Sequence, residues 1–185
     1  CRNIQLDDCT WGCFVDPKAR MFFGTDDAGL EKLQKEFLEI NNLVIEGQPE
    51  NLVINTHICR GNFHSTWACT GAYDKIAELV FGKENVKALY LEFDDARSGG
   101  FECLKHASED KKVVLGLITT KSPKLEDKNA VIARIHEAAK YVPLDSLYLS
   151  PQCGFASCEI GNKLTVEEQW AKLKLVKEIA EEVWG

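Results

Sequence analysis

Five short apolar runs, each followed by a stretch with helical periodicity, constrain this chain more than any other feature. The clearest is Lys112-Val113-Val114-Leu115-Gly116-Leu117-Ile118, apolar at almost every position. A strand with one wet face alternates apolar and polar residues, whereas a strand covered on both faces reads as a continuous apolar run. Strands of that kind belong to parallel sheets, whose crossover connections lay helices over the sheet.

The other four runs are shorter. Ile4-Gln5-Leu6-Asp7-Asp8 opens the chain and ends in two carboxylates, and a loop carrying Trp11, Gly12, Asp16, Pro17 and Gly24 is expected after it. Leu30, Leu33, Phe37 and Ile40 then mark a helical stripe, which Gly47 and Pro49 interrupt before the second run, Asn51 to Cys59. Tyr73, Ile76, Ala77 and Val80 predict a helix that Gly82 is placed to end, and Ala88-Leu89-Tyr90-Leu91 predicts a strand leading into Glu92. After Lys112–Ile118 a helix is expected with Asp127 as cap, Val131, Ile132, Ile135 and Ala139 inward, and Pro143 as stop. Ser146 to Leu149 is the fifth strand. The last helix opens on a capping box, Thr165 with Glu168, and its expected apolar face is Val166, Trp170, Leu173, Val176, Ile179 and Val183.

Strand and helix therefore alternate five times, which predicts an α/β fold on a parallel sheet. Five units suit either an open doubly wound sheet or part of an eight-unit barrel, and the pattern alone admits both. Either way, the polar groups just past each strand share one mouth at the carboxyl ends: Asp7 and Asp8, His57 and Cys59, Glu92, Lys121, and Cys153.

A formal charge of −7 argues against a nucleic-acid surface or an anionic membrane, both of which call for basic patches. No apolar run reaches the roughly 20 residues needed to span a bilayer. The first residues show no basic stretch ahead of an apolar core, so no secretory signal is expected. The eight cysteines lie at irregular intervals in a chain too long for a small disulfide-stapled domain. Reduced thiols in a cytoplasmic protein are the expectation. The start at Cys1 reads as a cut or processed end, so a fragment is expected.

His57 and Cys59 stand two apart at a strand end, where residues i and i+2 share a face, so imidazole and thiolate can converge on one ion. Glu92 and Cys153 come after strands of the same kind and would complete an N, S, S, O donor set acceptable to zinc. Spacing equally admits Cys59 and Cys153 as small buried hydrophobes. Cys1, Cys9, Cys13, Cys69, Cys103 and Cys158 lack that placement and read as packing residues.

Taken together, Thr56-His57-Ile58-Cys59, Glu92 at a strand end, Ser150-Pro151-Gln152-Cys153-Gly154 and Gln5-Leu6-Asp7-Asp8 resemble the cobalamin-independent methionine synthase family, most nearly its short single-barrel relatives. The resemblance runs in order over the whole chain. It implies a (βα)8 barrel of the TIM type, with residues 1–185 as a single domain resembling strands four to eight. It further implies Zn2+ on His57, Cys59, Glu92 and Cys153, and the ammonium of homocysteine on Asp7, with Asp8 the second candidate. The implied reaction is methyl transfer to the homocysteine thiol, giving methionine, with 5-methyltetrahydrofolate as the expected donor. Two departures stand out: the stretch Arg60 to Gly71 is longer than in the family, and Lys121 occupies the place of the histidine that acts as acid on the folate. The competing readings are another zinc-dependent thiol alkyl transfer or a decarboxylase-like reaction on the same scaffold, and an inactive barrel piece that self-associates through open edges.

Overall fold

A computed structural model describes all residues, Cys1–Gly185. Its centre is a five-stranded sheet, parallel throughout, with strand order identical to chain order. The strands are β1 (Asn3–Asp7), β2 (Val53–Ile58), β3 (Ala88–Glu92), β4 (Lys112–Ile118) and β5 (Leu147–Pro151). A doubly wound sheet reverses its strand order at a switch point; here every crossover moves one strand onward in the same direction. That sequential winding is the arc of a barrel, and the open alternative is resolved in favour of the TIM-barrel type.

Register separates the two faces. Asp7, His57, Tyr90, Val114 and Tyr148 lie side by side on the inner, concave face. Ile54, Ile58, Leu89, Leu91, Val113, Leu115 and Leu117 point the other way and are buried beneath the helices. The helices are α1 (Cys9–Val15), α2 (Ala19–Phe23), α3 (Asp27–Ile45), α4 (Asp74–Lys83), α5 (Lys128–Ala138) and α6 (Val166–Trp184). One cluster of 31 buried residues joins them to the outer face of the sheet, so the core lies in this layer and leaves the inner face to the site.

Several expectations are met residue for residue. Asp127 caps α5 by accepting from the Ala130 N–H, and Thr165 and Glu168 form the reciprocal capping box of α6. Others are corrected. The stretch after β1, expected as loop, holds α1 and α2. Asp8 caps α1 by accepting from the Thr10 N–H, and Trp11, Phe14 and Val15 bury one face of it. Cys, Thr, Trp, Gly and Val are poor helix formers, so this turn is held by packing, including Phe14 stacked on Phe23 at 4.2 Å between ring centroids. Gly82 does not end α4, which runs on to Lys83 with Glu84 as cap. The buried face of α6 is Lys172, Leu175 and Ile179, whereas Val166 and Trp170 are exposed. On α3, Leu30 is buried with Gln34 and Leu38, and Ile40 turns to solvent.

Candidate metal centre

Three strand ends build the centre. The last inward residue of β2 is His57, and Cys59 comes one step beyond the strand. Glu92 ends β3 and is fully buried. Cys153 lies just past β5, where Gly116 of β4 lets the chain pass close: a Cβ there would meet Gln152 Cα at 2.7 Å and Leu91 O at 2.8 Å. The donor atoms of His57, Cys59, Glu92 and Cys153 all lie within 4.8 Å of one another. Sequence reasoning placed these four together, and the fold brings them together.

The imidazole is oriented for the task. Its Nδ1 bonds Asp7 Oδ1 at 2.8 Å, which leaves Nε2 turned inward, 3.6 Å from Glu92 Oε1 and 3.2 Å from the Gln152 carbonyl. A carboxylate on the far nitrogen is the usual partner of a ligating histidine. Burial opposes the imidazolium, yet the hydrogen bonds to Asp7 and Glu92 and the nearby Cys59 outweigh it and raise the His57 pKa to about 10.

The two thiols sit 3.9 Å apart, and the Gly61 N–H donates to Cys59 Sγ at 3.3 Å. The hydrogen bond from Cys153, helped by Gly61 against the cost of burial, draws Cys59 down to about 7. Cys153, as the donor of that bond and through its own burial, is held above its ordinary value. Of the two thiols, Cys59 is the one that ionises more readily.

Glu92 is held from several sides. The Arg60 N–H donates to its Oε1 at 3.1 Å and Arg97 Nη2 to its Oε2 at 3.3 Å. The Gln152 amide, oriented to satisfy its neighbours, donates to both oxygens at 3.2 and 2.9 Å, and its carbonyl accepts from Lys121 Nζ at 2.8 Å. The Tyr73 hydroxyl fixes the Glu92 backbone, accepting from its N–H at 2.9 Å, and carries the Arg60 guanidinium 4.2 Å over its ring. Arg97, Gln152, Tyr73 and Arg60 were not picked out from the sequence. Only Gln152 lay within a recognised motif, and the others reach the site through the fold.

The remaining expected residues divide. Asp7 is half on the site, one oxygen on His57 and its side chain 61% exposed. Asp8 spends Oδ1 on Thr10 and Oδ2 on Asn41, as a cap and a brace. Lys121 stands at the rim, on Gln152 and on Asn62 Oδ1 at 3.4 Å. Beside Lys121, and outside the expected residues, Trp67 lines a cleft of about 360 Å³ that Arg97 also borders. A second cavity of about 210 Å³ opens onto the inner face between Gln5, His57, Tyr90, Gln152 and Cys153. Cys1, Cys9 and Cys158, expected as packing residues, are exposed instead, and Cys9 faces Asp7 and Cys59.

The family profile described as the catalytic domain of cobalamin-independent synthase matches residues 35–182. The chain belongs to this family. It is 49% identical over its whole length to the uncharacterized protein YxjG of Bacillus subtilis, covering 49% of that protein. It is 27% identical over 134 residues, 71% of the chain and 15% of the relative, to a 5-methyltetrahydropteroyltriglutamate–homocysteine methyltransferase of Bacillus licheniformis. Among solved structures, a candidate vitamin-B12-independent methionine synthase from Listeria monocytogenes superposes with a TM-score of 0.76 at 36% identity, over all of this chain and 49% of that one. The chain thus spans about half the length of YxjG and of the Listeria protein.

The donor set of this family member suits zinc. Two sulfurs, one nitrogen and one oxygen converge within 4.8 Å of one another, and the far nitrogen of the histidine is already engaged.

Proposed function

We propose that this chain carries the thiol-activating part of a methyl transfer to homocysteine that yields methionine, as residues corresponding to strands four to eight of the barrel. The convergence of His57, Cys59, Glu92 and Cys153 from three separate strand ends supports this reading most directly. When bound there, zinc supplies a Lewis acid that keeps a coordinated thiol in its reactive thiolate form.

The protein residues provide the rest. Cys59, Cys153 and Glu92 make the donor set electron-rich, so a substrate sulfur beside them stays nucleophilic. Asp7 keeps one carboxylate oxygen for the substrate ammonium while the other orients His57. Arg97 and Gln152 hold the buried Glu92 by hydrogen bonds to its carboxylate and offset its charge. Lys121 can deliver a proton to the departing group of the donor, with Gln152 and Asn62 fixing its ammonium. The cleft beside it, lined by Trp67, Arg97 and Lys121, suits a flat anionic donor such as 5-methyltetrahydrofolate. Because a lysine takes the place of the family's histidine, transfer from another methyl donor to the same thiol is the second reading.

Elemental analysis of the purified protein is expected to give about one zinc per chain, lost in Cys59→Ser and in Cys153→Ser. Retention of that zinc by both variants rejects the ligand set. A panel of methyl donors offered with homocysteine to the full-length protein should form methionine from the folate; methionine from a different donor alone selects the second reading.

A further inference from the structure

The register that sets Asp7 beside His57 also brings the next residues of the two strands together. Past the paired ends Asp7 and His57, the Asp8 N–H still donates to the His57 carbonyl at 2.9 Å, and Cys9, the first residue of α1, follows beside Cys59, one step beyond β2. The ligand atoms of Asp7, Cys9 and Cys59 lie within 4.8 Å of one another. This set shares only Cys59 with the four residues of the inner centre. Cys9 is exposed, and Asp7 offers an oxygen that His57 does not use.

We propose that Asp7, Cys9 and Cys59 form a second, exchangeable site for a thiophilic divalent cation, with Cys59 as a thiolate bridge to the inner centre. The proposal rests on Cys59 being a ligand of that inner centre. The chemistry is favourable on three counts. A thiolate has lone pairs enough to bind two soft cations at once. The three anionic inner donors leave that centre one negative charge beyond a bound dication, so a second cation next to it is drawn in. Two thiolates and a carboxylate, with solvent at the fourth position, make the open donor set of an exchangeable site rather than a closed structural one. A cation held here takes the free oxygen of Asp7 and the space before Cys59, so it excludes a thiol-bearing amino acid from the mouth. Excess zinc or cadmium would then act as a competitor of the substrate.

Cadmium is the probe, because each thiolate bound to it adds ultraviolet charge-transfer absorption. The full chain, reduced and metal-free, is titrated with Cd2+ while bound metal is counted by equilibrium dialysis. Two ions per chain are expected, the first step reporting two thiolates and the second adding about half as much absorbance for the single new one. Cys9→Ser, at an exposed position, should keep the first step and lose the second. Homocysteine present throughout should suppress the second step in the unaltered protein. Saturation at one ion per chain, or a second step of equal size in Cys9→Ser, overturns the outer site while leaving the inner one intact. A first step untouched by Cys153→Ser overturns the inner reading instead.

Discussion

Glu84 caps α4 in full burial, with Oε1 accepting from Asn41 at 2.8 Å and Oε2 without a partner. Burial raises its pKa from 4.5 to about 7, the Asn41 bond opposing this and the Asp8 charge adding to it. The folded protein therefore holds this proton where the unfolded chain has released it. Stability is highest below about pH 4.5 with respect to this group and declines as pH rises to about 7. Glu84→Gln keeps the Asn41 bond and removes the buried charge. It is expected to match the parent near about pH 4 and to exceed it by on the order of 2 kcal/mol at about pH 8, measured by urea unfolding at both. A variant less stable than the parent at the higher pH would contradict this. At this scale His57, Cys59, Glu92 and Cys153 were legible because each comes at the end of an apolar run. Cys9 was not, because its partner is a neighbouring strand whose register no local pattern reveals.

Among the elements, α1 lies close against the end of β2. A Cβ on Gly12 would stand 2.5 Å from the carbonyl oxygen of Cys59, so only glycine lets the helix lie against the strand end that carries Cys59. Gly12→Ala must push them apart; a cost of roughly 1–3 kcal/mol and a lowered melting temperature are expected, with weakened metal binding. An unchanged melting temperature would show that the helix can shift freely. The second test concerns α6, where buried Lys172 donates to the Lys124 carbonyl at 2.6 Å and to Glu126 at 2.9 and 3.1 Å. Glu126→Gln leaves a buried ammonium short of its counter-charge and should cost about 3 kcal/mol, whereas Lys172→Met should cost distinctly less. Equal losses in chemical denaturation would refute the asymmetry. These contacts also show where pattern reading stops. β4 was legible to the residue because both of its faces are apolar. The inward face of α6 was legible at Val176, Ile179 and Val183 but misread in its first turns, where the buried residue is Lys172 rather than Val166 or Trp170, and α1 was missed because its residues favour helix only once Trp11 and Phe14 have a core to enter.

At the scale of the whole molecule, the parallel order of the sheet leaves β1 and β5 each paired on one side only. The unpaired backbone groups of both edges, and the half-open inner face with Tyr148 exposed, are surfaces that seek a partner. The 185-residue chain is expected to associate with itself, its sedimentation coefficient rising with concentration; a constant monomer mass across dilution would refute this. The alternation of strand and helix made the parallel sheet legible from sequence. Barrel against doubly wound sheet was not, because that choice rests on strand order, which periodicity does not encode.

The sequential winding of the sheet also fixes when the centre can exist. Each strand pairs with the one made just before it, so the sheet can grow in the direction of synthesis, one local contact at a time. The centre breaks that locality: Cys59 must wait for Cys153, 94 residues later. Until β5 docks, three of the four donors face a gap. On the proposed metal reading, capture would be a closing event, and a bound ion would tie the first half of the chain to its last strand as a cross-link over a long loop does.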